Sequence, residues 1–391
     1  MLKRLCHKSL EHFWAFWCYP LAWLVTRWSP LRDNKFFCIS MSGNSYGDNI
    51  KYLAEYIAQH DGEAQIVWAF TSGFYYKADC PFLKVRLYTF TYYRHILTSK
   101  YILSNARLNQ RMLHKCKGQV YLNTWHGTAL KRLGTDVKTR KRSWLERWLK
   151  PAVFQFDVTN TDIMISGSHF MTSIFRDKFL FKGRILETGT PRNDIFFHDH
   201  PEIVERIRSR YNISGDMQII LYAPTFRTDG QFTYYDIDAR RLLTAWEQKT
   251  GRPCVLMVRL HPNLQYKSKA FIAQFPEGTI DASDYPDMQE LLYSADLLVT
   301  DYSSSMFDIM YAYKPVLLYV PDRKEYDRGF YFDLNELPFM VVGKNEEMDG
   351  LISSFEESVY NKKNDEFKKK IGTVEKGLAA DKIFKMLGKT C

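Results

Sequence analysis

Two features are missing from this chain: cysteines paired at metal-binding spacing, and an apolar run long enough to span a bilayer. The seven cysteines (Cys6, Cys18, Cys38, Cys80, Cys116, Cys254 and Cys391) are scattered and odd in number. That excludes a zinc-ribbon signature and leaves reduced thiols in a cytoplasmic protein as the simplest reading. Tandem short repeats and low-complexity tracts are missing too, which removes solenoids and long disordered tails. Acid is in short supply: 54 Lys and Arg against 44 Asp and Glu give a formal charge of +10. A basic chain meets nucleic acid, anionic lipid or phosphorylated substrates, and charge alone does not choose among them. Aromatic residues are plentiful at 16%, within a globular balance of 46% hydrophobic and 25% charged residues. A chain of 391 residues exceeds one compact α/β core and suits two domains.

The N-terminal run HFWAFWCYPLAWLV, residues 12–25, is flanked by Lys3, Arg4, Lys8 and Arg27 and interrupted by Pro20. It falls short of the roughly 20 residues a spanning helix needs. A basic start and an apolar middle fit a signal peptide. Four tryptophans (Trp14, Trp17, Trp23, Trp28) and the lack of a small-residue cleavage site favour instead an interfacial segment on the inner membrane face. A buried terminal helix is the plainer alternative. The stretch from Lys138 to Phe154 places Trp144, Leu145, Trp148 and Leu149 at helical spacing among Arg and Lys. It suits anionic lipid or ordinary packing onto the domain equally well.

From Lys35 onward, strand-length apolar runs alternate with helical segments, which indicates parallel βα units. FFCISM, QIVWAF, FLKVRLY, YILSNA, QVYLNT, DIMISG and RILETG form a first series. A charged helix, EIVERIRSRYNI, leads to a second: MQIILYAP, CVLMVRLHP, GTIDAS, DLLVTD and PVLLYVP. The expected class is α/β, with two Rossmann-like doubly wound domains at 35–212 and 213–391 after an interfacial segment at 1–34. The Lys-rich end, from Asn361 to Leu387, reads as solvated helix.

Polar chemistry collects where these strands end, which is where open α/β sheets bind ligands. NTWHGTALKRLGTD carries Trp125, His126, Gly127 and Thr128, then the cations Lys131 and Arg132. A His there is either a packed loop residue or a titrating group, and the glycines and cations beside it suggest a phosphate. GTPRND supplies Arg192, LYAPTFR supplies Thr225 and Arg227, and VRLHPN supplies Arg259 and His261. Arginine at such ends suits bidentate phosphate contact. In VTDYSSSMFD a helix is expected to begin near Ser303; Ser303 and Ser304 then serve as N-cap and as donors at an anion site. Asp308, a turn later, either accepts hydrogen bonds from a polyol or faces solvent. The single DxD-like element, Asp236-Ile-Asp238, reads as a helix N-terminal charge pattern rather than a metal clamp.

In this order, NTWHGTALKRLGTD, GTPRND, APTFR, VRLHPN, TDYSSSMFD and the DRGFYFD segment closely resemble the CDP-glycerol:poly(glycerophosphate) glycerophosphotransferase family, which includes teichoic acid primases and polymerases and related capsule polymerases. Ala129 stands where that family's pattern has proline, a departure that removes no reacting group. The resemblance implies a GT-B-like pair of Rossmann domains, the nucleotide held mainly by the second, and two functional histidines matching His126 and His261. It also implies CDP-glycerol or a related CDP-polyol as donor, and a lipid-linked anionic or glycosylated acceptor at the cytoplasmic membrane surface. Nucleic acid is not an expected partner. His126 then suits the role of general base toward the acceptor hydroxyl. His261, Arg259, Arg227 and the Ser303–Ser304 turn would hold the pyrophosphate, and Trp125, Gly127, Thr128, Arg192, Thr225 and Asp308 complete the substrate contacts. No cofactor is demanded, because fixed cations can neutralise the charge; stimulation by a divalent cation is compatible with this. The alternative is a GT-B glycosyltransferase using a nucleotide sugar.

Overall fold

The computed structural model describes residues 17–108, 115–137, 154–225, 234–326 and 329–388. Residues 1–16, the stretch 138–153, Arg227 and Asp327 therefore lie outside the described residues. The chain divides into two compact units: residues 1–126, 139–194 and 374–391 form unit one, and residues 127–138 and 195–373 form unit two.

Unit one is built on seven parallel strands: β1 (Arg32–Ile39), β2 (Gln65–Phe70), β3 (Leu83–Arg86), β4 (Ser99–Ser104), β5 (Val120–Asn123), β6 (Ile163–Ser166) and β7 (Arg184–Glu187). Their spatial order is β3-β2-β1-β4-β5-β6-β7, a doubly wound sheet whose order reverses between β1 and β4. The strands read as continuous apolar runs because both faces are covered. Alternate side chains serve opposite layers. Phe36, Cys38, Trp68, Phe70, Leu103 and Leu122 face one cluster, which takes in Ile50, Leu53 and Ile57 of the helix Asp48–His60. Phe37, Ile39, Val67, Ala69, Ile102 and Tyr121 face the other, with Tyr92, Ile96 and Leu97 of the helix Phe90–Thr98. Each fully buried Val, Leu, Ile or Phe side chain among these contributes about 1.5–3 kcal/mol.

The C-terminal residues belong to unit one, and the expectation of solvated helix there needs correction. The helix Ala379–Met386 buries Ile383 and Phe384 in the first of these clusters. Its first two amides, on Ala379 and Ala380, donate to the Asp194 carboxylate at 2.9 Å each. Just before it, the carboxyl group of Glu375 accepts from the amide and hydroxyl of Thr190 and from the Asn193 amide group. Only glycine fits at Gly167 and Gly189 beside it, since a Cβ at either would fall within 2.6 Å of a Glu375 oxygen. The helix over residues 17–26 packs Ala22 into the second cluster and leaves Trp17, Leu21, Trp23, Leu24 and Val25 exposed, as is Trp28 just after it. Among the described residues no helix is long and apolar enough to cross a membrane.

Unit two repeats the scheme with β8 (Gln218–Tyr222), β9 (Cys254–Val258), β10 (Ile280–Asp281), β11 (Leu297–Thr300), β12 (Val316–Tyr319) and β13 (Met340–Val342). The order β10-β9-β8-β11-β12-β13 is again parallel and reverses between β8 and β11. Ile220, Tyr222, Leu256, Val258, Leu297, Val299, Leu317 and Tyr319 share one layer with Leu242 and Trp246 of the helix Ala239–Thr250. Asp238 caps that helix by accepting from the Arg241 amide, while Asp236 accepts from the Tyr319 hydroxyl. Both aspartates of the DxD-like element are thus held in structural hydrogen bonds. The helix Glu357–Ile371, also expected to be solvated, buries Tyr360, Phe367 and Ile371.

Candidate active site

In unit one, the polar groups gather at the end of β5 and around the reversal point. After Asn123 the chain turns sharply: Trp125 takes φ +52°, a left-handed conformation costly for a side-chain-bearing residue. Three bonds hold it there. The Asn123 Oδ1 accepts the Trp125 amide at 2.8 Å, while Asn49 Nδ2 and the Thr124 hydroxyl donate to the Trp125 carbonyl, each at 3.0 Å. The indole stacks on the His126 ring, centroids 4.3 Å apart, and meets the Phe179 ring edge-on at 4.8 Å.

This turn presents His126 in a fixed orientation. Its Nδ1 lies 2.8 Å from the Asn105 carbonyl oxygen, which can only accept. In the neutral ring Nδ1 therefore carries the hydrogen and Nε2 keeps its lone pair. Burial lowers the pKa of His126 from its ordinary 6.5; the Asn105 bond and the Asp48 carboxylate oppose this, and Arg192 and Arg107 add to it. The ring is thus neutral near pH 7, with one basic nitrogen.

Arg192, expected as a phosphate contact, has its guanidinium engaged. It is 5% exposed, and Nη1 pairs with the Asp48 carboxylate at 2.8 Å. Its amide donates to Asn49 Oδ1 at 3.0 Å. Asn49, fully buried, thus ties the Arg192 turn to the Trp125 turn with one side chain. Asp48, Asn49 and Asn105 were not singled out in the sequence; the first two lie inside SGNSYGDN, where they read as turn formers.

In unit two, the expected residues cluster at the β8/β11 reversal. The Asp301 carboxylate, 3% exposed, accepts from the Thr225 amide and hydroxyl at 2.9 Å each and from the Tyr302 amide at 2.6 Å. It locks the ends of the two strands together. Arg259 follows β9, its amide bonded to the Tyr222 carbonyl at 2.9 Å. Its Nη1 is enclosed without a hydrogen-bond partner among the described residues. Asp287, Tyr211 and Tyr285 are the opposing groups nearest in effect, and burial outweighs them. His261 keeps solvent access, yet desolvation and the charges of Lys131 and Arg259 hold its pKa below 6.5.

The helix expected to begin near Ser303 starts two residues later. The helix spans only Ser305–Ile309 and continues as a tight turn over Met310–Ala312, ending at a left-handed Tyr313 before Pro315. Ser304 makes no side-chain cap bond, and Ser303 Oγ serves the amide and hydroxyl of Ser305. A helix this short supplies little dipole, so any anion contact here rests on the two hydroxyls and local amides. Asp308 is 3% exposed and does not face solvent.

The segment after His126 is part of unit two. Gly127 takes φ +126°, which a residue with a Cβ rarely adopts. Thr128 is half-buried beside it, and Ala129 and Leu130 are buried. Lys131 pairs antiparallel with Phe330, the Arg132 amide donates to Gly329 O at 2.8 Å, and the Tyr331 amide donates to Leu130 O at 2.8 Å. The two sequence segments LKR and GFY are therefore one small ladder, which sets the Lys131 ammonium over the Tyr326 ring, 5.5 Å from its centroid.

Comparison with known proteins now bears on these geometries. The family model described as CDP-Glycerol:Poly(glycerophosphate) glycerophosphotransferase matches residues 21–389. The chain is 31% identical over 403 aligned positions to the teichoic acid glycerol-phosphate transferase of Staphylococcus aureus, covering 98% of each protein. It is 30% identical to the teichoic acid poly(glycerol phosphate) polymerase of Bacillus subtilis, using 84% of this chain but 45% of that longer protein. Among solved structures, the wall teichoic acid polymerase TagF, in a variant soaked with CDPG, superposes with a TM-score of 0.82 at 28% identity, covering 95% of this chain and 92% of that one. The match spans both sheets and every strand-end residue described above, and the chain belongs to the CDP-glycerol:poly(glycerophosphate) glycerophosphotransferase family.

Proposed function

We propose that the chain transfers glycerol phosphate from CDP-glycerol to a terminal hydroxyl of a lipid-linked acceptor in teichoic acid synthesis, releasing CMP. The family and the relatives' names support the donor and the reaction class. One observation carries the chemistry: His126 is a neutral imidazole with Nδ1 fixed on Asn105 O and Nε2 left basic. In this reading Nε2 takes the acceptor's proton as its oxygen attacks the glycerol-bearing phosphorus, and the bond from that phosphorus to CMP breaks. The incoming oxygen and the leaving CMP require charge neutralisation rather than covalent help. Arg259, whose Nη1 is enclosed without a partner among the described residues, Lys131, and the hydroxyls of Ser303 and Ser304 serve that role. His261, its pKa lowered by desolvation and then by the charges of Lys131 and Arg259, donates an N–H as the neutral ring.

The same reading places the protein on the inner membrane face. Trp17, Leu21, Trp23, Leu24, Val25 and, just past the helix, Trp28 are all exposed, and the Arg27 guanidinium lies 3.7 Å from the Trp28 ring centroid. Aromatic side chains beside a cation suit the headgroup region. The test is an assay of the purified full chain with CDP-glycerol, CDP-ribitol and UDP-sugars against a synthetic lipid-linked acceptor. CMP release with a product heavier by whole glycerol-phosphate units is expected. UDP release with a glycosylated product, or no CMP from any acceptor, would replace this reading.

A further inference from the structure

At the opposite end of the first sheet, where β1, β2 and β3 begin, a cavity of about 380 Å³ opens among Arg32, Lys35, Gln65, Phe82 and His95. No expected site residue lies there. Lys35 sits five residues before the loop that follows β1, about 17 Å along an extended strand. Its side chain is 4% exposed, and its ammonium donates to the Thr98 hydroxyl at 2.6 Å. That hydroxyl in turn donates to the Arg94 carbonyl at 2.8 Å. No carboxylate lies within ion-pair distance of Lys35 or Arg32 among the described residues; the neighbouring Asp33 reaches only toward Lys100. Arg32 Nη1 meets the neutral Gln65 Oε1 at 3.4 Å. The His95 Nδ1 is enclosed and has no hydrogen-bond partner among the described residues.

A buried ammonium without a counter-ion is disfavoured, and proteins normally pair such a charge. Here the end of the helix Phe90–Thr98 supplies only about half a negative charge. Burial, reinforced by the positive charges of Arg32 and Arg94, pushes Lys35 down to about 8, and burial with the charges of Lys35, Arg94 and Arg32 pushes His95 to about 4. The groups around the cavity are thus several donors with too few acceptors. A fork-shaped guanidinium, a point ammonium and an imidazole match the tetrahedral oxygens and charge of a phosphate ester better than a single carboxylate. The volume exceeds that of phosphate alone and lies in the range of small-ligand pockets. Phe82 and Pro81 supply an apolar wall for a carbon skeleton.

We propose that this cavity binds a phosphate-bearing ligand, its phosphate held by Lys35, Arg32 and His95 and its carbon portion lying against Phe82 and Pro81. The phosphate belongs either to a soluble ester or to an anionic lipid headgroup. The site is separate from the transfer chemistry, so its test does not depend on turnover. The full chain, Lys35→Met and Arg259→Ala are titrated calorimetrically with inorganic phosphate and with glycerol 3-phosphate at constant ionic strength. Lys35→Met removes a buried unpaired charge at nearly constant shape, so its melting temperature should equal or exceed wild type. Loss of charged hydrogen bonds should weaken ester binding about tenfold or more in Lys35→Met, while Arg259→Ala keeps it. Flotation of the same three proteins with phosphatidylglycerol and phosphatidylcholine vesicles forms the second arm. Lys35-dependent binding to phosphatidylglycerol alone, without heat from soluble esters, would support the site and assign the lipid source. Should Lys35→Met fail to fold, movement of the His95 ring-proton signals of wild type on adding either ester gives the same answer. The proposal is overturned if neither ester nor phosphatidylglycerol binds in a Lys35-dependent way and the His95 signals stay still, or if Arg259→Ala, not Lys35→Met, abolishes binding.

Discussion

Replacing Asn49 by alanine tests whether the His126 turn is held from beneath. The wild-type side chain is fully buried and makes two 3.0 Å bonds, Nδ2 to Trp125 O and Oδ1 from the Arg192 amide. Trp125 O keeps the Thr124 hydroxyl, so its loss is partial. The Arg192 amide, in a buried turn, loses the acceptor it has, at about 1–3 kcal/mol. With the small void added, the total is about 3 kcal/mol. For a unit near 200 residues that corresponds to a fall in Tm of roughly 6–12 °C. The kinetic effect has a separate origin. Trp125 holds a left-handed φ worth about 1–2 kcal/mol of strain, and removing one of its ties lets that strain relax and carry the adjacent imidazole off line. A displacement near 1 Å is worth up to about 10²-fold in rate. CMP release measured well below the variant's Tm should therefore show kcat down about 10–100-fold, with the KM for CDP-glycerol within about twofold, because the proposed donor contacts lie in unit two. A folded Asn49→Ala with wild-type kcat would refute the argument that this side chain positions His126.

His126→Ala should retain the fold and lose about 10²–10⁴-fold in turnover; in wild type, kcat should fall on acidification with a midpoint below 6.5, because burial lowers the pKa of the base and only the neutral ring accepts a proton. Arg259→Ala should weaken CDP-glycerol binding in a calorimetric titration while the far-UV spectrum stays unchanged; unaltered affinity would move the pyrophosphate contact elsewhere. Burial pushes Glu375 up to about 8 from an ordinary 4.5. The stability it contributes is thus complete below 4.5 and lost as pH rises through 8. The Tm of wild type should accordingly decline from pH 5 to 8 more steeply than that of Glu375→Gln, and parallel curves would contradict this. Flotation should carry the full chain with anionic vesicles at low salt, and deletion of residues 1–30 with high salt should release most of it; wild type remaining at the bottom at low salt would exclude the peripheral reading.

Twelve of the strands are visible as apolar runs because a parallel sheet covered on both faces leaves no polar alternation to blur them. β13 escapes that reading: Met340–Val342 is three residues long, too short to stand out beside Phe339. The buried face of the helix Glu357–Ile371, not the helix itself, is hidden by composition, since its Lys and Asn residues mask Tyr360, Phe367 and Ile371 on one stripe. The strand-end residues are legible by type and position, but their partners are not. Asp48 meets Arg192 across 144 residues, and no local pattern announces that the guanidinium is already engaged. Asn49 and Asn105 are likewise invisible, because their hydrogen bonds exist only once the strand order brings three turns together. The serine helix is legible in its position but not in its extent, since it begins at Ser305 rather than near Ser303. SSSMFDIMY is compatible with several turns, and Lys314-Pro315 after a left-handed Tyr313 stops it early.

The return of residues 374–388 to unit one has a consequence for synthesis on the ribosome. The segment that supplies Glu375, Ile383 and Phe384 emerges only after the roughly 180 residues of unit two's main stretch have been made. At about 5–20 residues per second, that is a delay of roughly 10–40 s. Throughout it, the Leu53 and Ile57 face of the helix Asp48–His60 lacks its cover, and Thr190 lacks the Glu375 carboxyl group that receives its amide. Unit two has no such wait, since its only borrowed piece, residues 127–138, was made earlier. Maturation therefore runs against the direction of translation: the half made second closes first, and the half made first depends on the last turn of chain.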